Sequence, residues 1–467
     1  MVAHSKANFI YRGAGWLWCL VLLLAPWLYG GTRAWTVDYL NALGGGAIGL
    51  WVLGLLIEKR WPRIPGMLIV LVLALLGLGW SLAVNPHLLY RADFFTFVEV
   101  PQRFALFPSG VDAATAIRKM LQISVLLGGL LAVVDLSSLG SFRRQVWVSM
   151  ALTGASIALF GLAQKALQSP ILLWDPAQFD SSHFAGYRYH ANAGAYLNIV
   201  WPLLAGLAVV SFRREDQSLR RTAWVSGTAA AFFATFANVS KAAFVVAGLL
   251  FAAVVVWAWN RLNRDREQEM AAFTRRLILG IACVLGALLL VMAWDRWEAG
   301  GLQSAHSRWG SYLISWQMVR DSGAFGTGPG TWALCFPFYT GDLVGRTAGI
   351  WRFAHQDYLQ TLVEWGWVGT SLWAGLVVGG LIVGFRRILP RKARITGEDR
   401  ALLFVACLAV CGVFLHALVD FPLQIASIQL YTVTCLGLAW GSSHWPKRIR
   451  RASSPNKLDA RRVESGS

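Results

Sequence analysis

About twelve apolar windows, each of roughly 20 residues, run through this 467-residue chain, and that length suits a helix crossing the ~30 Å hydrocarbon core of a bilayer. They fall at 14–30, 38–57, 66–84, 118–136, 145–166, 191–211, 223–238, 242–260, 277–294, 367–385, 401–418 and 425–442. With 56% of the residues apolar and only 14% charged, a water-soluble domain would lack the charged surface to cover its core. Many of the 24 tryptophans, Trp16, Trp27, Trp35, Trp201, Trp257, Trp294 and Trp297 among them, lie near the ends of apolar runs, as an interfacial aromatic belt requires. The expected fold is therefore an all-α polytopic membrane protein with a single transmembrane domain over 1–445, followed by a basic, disordered tail at 446–467.

A formal charge of +18 raises the question of nucleic acid, but the positive residues sort by side. With both termini cytoplasmic, roughly 29 of the 42 Lys and Arg residues fall in inside segments, which is the positive-inside pattern. Topology and anionic headgroups account for the charge, so membrane lipids and not nucleic acid are the expected partners. The 38 residues of 223–260 allow one long tilted helix or two. Arginine pairs flank both ends and belong on one side, which requires two helices and a tight turn at Asn238-Val239-Ser240-Lys241. Five of the six cysteines lie in apolar stretches and Cys335 lies in an external loop, so neither a disulfide framework nor a metal cluster is expected.

Three external segments exceed connector length: 85–117, 167–190 and 295–366, the last falling between the ninth and tenth spans. The third contains Ser307-Arg308-Trp309, the glycine turn Gly326-Thr-Gly-Pro-Gly330 and the run Ala354-His-Gln-Asp-Tyr-Leu-Gln360 with Glu364. The turn lacks the lysine and strand of a phosphate-binding loop. His355 sits before a helical pattern at the membrane surface, where an imidazole can take a proton from a hydroxyl or simply bind a loop carbonyl. Asp357 and Glu364 suit a supporting role, orienting the turn or capping the helix. Arg308, Arg188 and Arg352 are external cations on the side where topology does not call for them, and arginine matches the oxygens of a diphosphate. Lys241, between two apolar spans, is a rim cation that either binds an anion or snorkels to headgroups. Asn192 lies at the outer start of the sixth span, and His416 and Asp420, four apart at the outer end of the eleventh, read first as a structural pair.

These pieces resemble the O-antigen ligase and polymerase family of bacterial membrane glycosyltransferases. The resemblance rests on Ala158-Leu-Phe-Gly-Leu-Ala-Gln164, Tyr189-His-Ala-Asn192, Val239-Ser-Lys-Ala-Ala243, Ser307-Arg308 with Trp316, the glycine turn, the His355 segment with Glu364 and Gly366, and His416-Ala-Leu-Val-Asp-Phe-Pro-Leu-Gln424. It implies a GT-C-like bundle in the bacterial inner membrane, its active site periplasmic in 295–366. It also implies inverting transfer of a glycan from undecaprenyl diphosphate to a hydroxyl on another glycan or on lipid A core, with neither metal nor other cofactor. By the same resemblance His355 is the base and Arg308 and Lys241 bind diphosphate, with Arg188 and Arg352 as further candidates. Lys241 stands where the family has arginine, keeping the charge but losing the planar fork. Two other readings remain open: a transporter or flippase for lipid-linked sugars, and a protein O-oligosaccharyltransferase.

Overall fold

A computed structural model describes residues 2–173, 183–212, 218–262, 303–341, 351–389 and 395–446. The expected span at 277–294 and the tail from 447 onward lie outside the described residues. The described chain is mostly helical: α1 Val2–Trp27, α2 Ala34–Glu58, α3 Gly66–Val84, α4 Ala113–Leu136, α5 Gly140–Ala166, α6 His190–Ser211, α7 Ser218–Ala237, α8 Lys241–Leu262, α9 Gln303–Asp321, α10 Asp357–Ile388, α11 Gly397–His416 and α12 Ala426–Gly441. Among the described residues, nine helices are long and apolar enough to cross a membrane. The expected windows at 223–238 and 425–442 do form helices, but α7 opens on Arg220 and Arg221 and α12 has only 16 residues. The 38-residue stretch is two helices, α7 and α8, joined at residues 238–240.

Segment 85–117 departs from an all-helical reading. Strands β1 Pro86–Arg91, β2 Thr96–Glu99 and β3 Gly110–Val111 form a small sheet in the order β2-β1-β3, β1 and β2 antiparallel and β1 and β3 parallel. Alternating apolar residues such as Leu89, Phe97 and Val111 allow this pairing, and backbone pairing satisfies polar groups that a loop would leave to water. Asp112 then caps α4 by accepting from the Thr115 amide at 3.0 Å, while Thr396 caps α11 through the Asp399 amide at 3.1 Å.

Helix α6 is the centre of the bundle, with nearly every side chain buried. In lipid, helix association rests on close packing and on hydrogen bonds between helices more than on the hydrophobic effect. Gly129 and Gly154 serve the first, since a Cβ at either would lie 2.1 Å from the Trp18 ring or 2.0 Å from Val200. The second is met by Trp18 donating to Thr434 at 3.1 Å, Tyr196 to Tyr431 at 3.1 Å and Trp147 to the Leu203 carbonyl at 2.9 Å. One end of the bundle is clamped by ion pairs, Arg60 with Asp135 at 2.8 Å and Arg143 with Asp399 at 2.7 Å. Because α10, α11 and α12 alternate in direction, the first turn of α10, the last of α11 and the first of α12 meet at the opposite end.

At that opposite end α10 is broken at Gly366, whose φ of +60° and ψ of −170° form a combination reserved for glycine. The glycine turn 326–330 fills the break: the Thr327 and Gly328 amides donate to the Val363 and Glu364 carbonyls, each at 2.9 Å, and the Val368 amide donates to Ala324 at 3.0 Å. A Cβ at Gly366 would sit 2.3 Å from the Ala324 oxygen. Gly366→Ala is therefore expected to cost more than about 1 kcal/mol and to lower the thermal unfolding midpoint in detergent; an unchanged midpoint would show the junction to be slack.

Candidate active site

Four separate segments meet at the end of the bundle opposite the ion-pair clamp. Tyr189 is the residue before α6, Arg308 lies in the first half of α9, His355 precedes α10 and Asp420 lies in the turn between α11 and α12. His355 has a φ of +54°, an uncommon conformation for a residue other than glycine. The surrounding bonds hold it there. Tyr312 donates to the His355 carbonyl at 2.9 Å, Ser311 donates to the Ala354 carbonyl at 3.2 Å, and the Ala354 amide donates to the Gln360 side chain at 3.2 Å. A strained backbone fixed from both sides aims the imidazole without relying on its own rotamer freedom.

The imidazole Nδ1 lies 3.2 Å from Asp420 Oδ1. Since an ionised carboxylate only accepts, Nδ1 is the donor, and in the neutral ring this tautomer leaves the lone pair on Nε2. Trp351, Phe421 and Tyr189 meet the ring edge-on at centroid distances of 5.4, 4.7 and 5.9 Å, and its side chain keeps 23% exposure. Asp420 also accepts from the Phe421 amide at 3.1 Å and from the Tyr189 hydroxyl at 3.2 Å. Arg308 donates in turn to the Tyr189 oxygen at 2.9 Å and to the Val419 carbonyl at 3.4 Å. The result is one continuous chain, Arg308 to Tyr189 to Asp420 to His355.

Electrostatics agree with this assignment of donors. Burial opposes ionisation of Asp420, but the hydrogen bond from His355 and the charge of Arg308 hold its carboxyl below the ordinary value. Burial, reinforced by Asp420, pushes the Tyr189 phenol well up, so it stays a donor to the carboxylate. Arg308 is opposed by burial and supported by Tyr189 and Asp420, which together raise its pKa and keep the guanidinium charged. Among the described residues two of its N–H groups are engaged by protein acceptors.

Two expectations about the supporting residues need correction. His416 and Asp420 do not pair: α11 ends at His416, the chain turns, and the Asp420 carboxylate is drawn to His355 and Tyr189, while both nitrogens of the buried His416 lack a hydrogen-bond partner among the described residues. Asp357 does not cap its own helix, because Gln356 takes that position by accepting from the Leu359 amide. The Asp357 carboxylate instead accepts from the Leu423 amide at 2.8 Å and the Gln424 side chain at 3.0 Å, tying α10 to the turn that carries Asp420. Glu364 orients the glycine turn, accepting from the Gly330 amide at 2.8 Å and from Gln360 at 3.0 Å.

Arg188 and Arg352 are exposed beside the cluster in sequence, one preceding Tyr189 and the other between Trp351 and Phe353. Lys241 is exposed at the start of α8. Its turn is fastened to the same region, because Asn238 donates to the His190 carbonyl at 2.6 Å. Asn192 is buried one turn into α6. The sequence alone did not single out Tyr189, which joins Arg308 to Asp420; a phenol next to an external arginine was the available signal. It also missed Lys119, a cation just inside an apolar window and thus a departure from the rule that spans exclude charge.

Residues 226–374 match the family model described as O-antigen ligase. That stretch contains Lys241, Arg308, the glycine turn, His355, Asp357 and Glu364, and leaves Tyr189 and Asp420 outside it. No curated protein matches the chain.

Proposed function

We propose, on the premise that residues 226–374 assign this chain to the O-antigen ligase and polymerase family, that it transfers a glycan from a polyprenyl diphosphate to an acceptor hydroxyl. The observation that carries the reading is the chain linking Arg308 through Tyr189 and Asp420 to His355. The acceptor O–H gives its proton to His355 Nε2 as its oxygen bonds to the anomeric carbon. The bond from that carbon to the diphosphate oxygen breaks on the opposite face, the electron pair leaves with the diphosphate, and the anomeric centre inverts. Asp420 holds the imidazole in the accepting tautomer and stabilises the imidazolium that forms. Arg308 and Lys241 neutralise the departing diphosphate, with Arg188 and Arg352 as further candidates for contact with the same anion.

Charge supports a sidedness. The basic segments around Arg60, Arg143 and Arg387 lie at the clamped end, and under the positive-inside rule this favours a periplasmic position for the His355 end. Transport is the competing reading, and broken helices such as α10 occur in transporters. Here the Val363 and Glu364 carbonyls at the break are already bonded to the glycine turn and are not offered to an ion.

The test is glycan transfer by the purified chain in detergent, where transport has no meaning, with a lipid-linked donor and a panel of hydroxyl acceptors. Product with an inverted anomeric centre is expected; its absence with every acceptor would overturn the reading. In the same assay Lys241→Arg is expected to keep activity, while Lys241→Ala loses about tenfold or more, chiefly through weaker handling of the diphosphate. Deleting the gene distinguishes acceptors: lost attachment of surface polysaccharide marks a ligase, and lost long chains mark a polymerase.

A further inference from the structure

On the face of α10 that turns toward α4 lies a second cluster of ionisable groups. A cavity of about 180 Å³ between α4, α10 and α12 is lined at its polar end by Lys119, Asp357, Glu364, Gln424 and Gln429. The Lys119 stem passes the glycine turn, 3.2 Å from where a Cβ of Gly330 would stand. Its ammonium has no hydrogen bond and no carboxylate oxygen within 4.0 Å among the described residues, but it shares this one cavity with the carboxylates of Glu364 and Asp357. The two carboxylates are seven residues apart on one helix and so face the same side, toward the cavity that Lys119 also lines. Buried carboxylates without a nearby cation are costly, and hydrogen bonds alone do not remove the cost of two like charges.

We propose that Lys119 is a positioning residue whose ammonium is the common counter-charge of Asp357 and Glu364 and thereby holds in place the loops that frame His355. Asp357 fastens the 417–424 turn through Leu423 and Gln424, and its own amide donates to the Ala417 carbonyl at 3.1 Å; that turn presents Asp420 to the imidazole. Glu364 fastens the glycine turn through Gly330 and holds Gln360, which in turn binds the Ala354 amide next to His355. Lys119 thus reaches the imidazole from two directions without touching it. Removing the cation leaves two uncompensated buried carboxylates, each rooted under one wall of the site.

The inference rests on the transfer reading above, so its test starts from the full chain shown to transfer glycan in detergent. Lys119→Met is expected to lower kcat by roughly 100-fold, the size of effect that follows a displacement near 1 Å in a catalytic geometry, with KM for the lipid-linked donor kept. Pairing it with Asp357→Asn removes one charge of each sign, and Asn can still accept from Leu423, so the double variant is expected to regain most of that loss. A dead wild type would sink the transfer reading itself. With an active wild type, full activity in Lys119→Met overturns the inference, as does a double variant no better than the single one. Should Lys119→Met fail to accumulate, a double variant that accumulates and transfers supports the inference, and failure of both overturns it.

Discussion

His355→Ala is expected to reduce glycan transfer by about 10²- to 10⁴-fold, the range supplied by a positioned general base. Folding should survive, because the imidazole is partly exposed and Asp420 keeps the Tyr189 hydroxyl and the Phe421 amide as donors when the ring is removed. Single-turnover transfer by purified protein, run beside a thermal melt, separates the two effects. An undiminished rate in a normally folded variant would remove the imidazole from the reaction, whatever the remainder of the site does.

Asp420→Asn should be nearly as severe, by roughly 10²- to 10⁴-fold in kcat, for a reason that concerns one proton. The carboxylate can only accept, and so it selects the imidazole tautomer with hydrogen on Nδ1. An asparagine amide in the same place can donate to Nδ1, which moves the ring hydrogen to Nε2 and removes the lone pair that must receive the acceptor's proton. The change is isosteric, so the Tyr189 contact, insertion and donor KM should stay close to wild type. A variant that turns over at the wild-type rate would reduce Asp420 to a structural anchor. The same chain predicts a milder consequence at Tyr189, where Phe would break the link to Arg308 while leaving His355 and Asp420 bonded.

Lys241 tests a different part of the machinery. It opens α8 on a turn fastened to the carbonyl of His190, the residue that follows Tyr189. If Arg308 supplies the bidentate contact to the diphosphate, a lysine suffices as the second cation.

Much of the architecture was legible in one dimension. Apolar windows of span length, arginine pairs at their ends and the Asn238–Lys241 turn follow from lipid excluding backbone polar groups and charge, a constraint each segment meets locally. His355, Arg308 and Glu364 were also visible as external ionisable residues beside a glycine turn. Other features were hidden because they depend on pairing between distant segments: the sheet formed by 86–111, the break at Gly366 filled by residues 326–330, and the partner of Asp420. Helical spacing suggested His416 as that partner, but the helix ends at His416, and a rule about residues four apart has no force beyond the last helical turn.

By itself, then, the order of residues determined that this chain forms helices long and apolar enough to cross a membrane, roughly where they fall, and which charged groups lie outside the apolar windows. Only the tertiary structure decided which of them meet. His355 and Asp420 are 65 positions apart, Arg308 and Tyr189 119, and Tyr189 and Asp420 231, so their hydrogen bonds exist only after α6, α9, α10 and α11 have packed. The physical reason is one of range: transfer into lipid acts on each segment of about 20 residues separately, whereas a hydrogen bond acts over about 3 Å and needs the whole bundle to bring its two ends together.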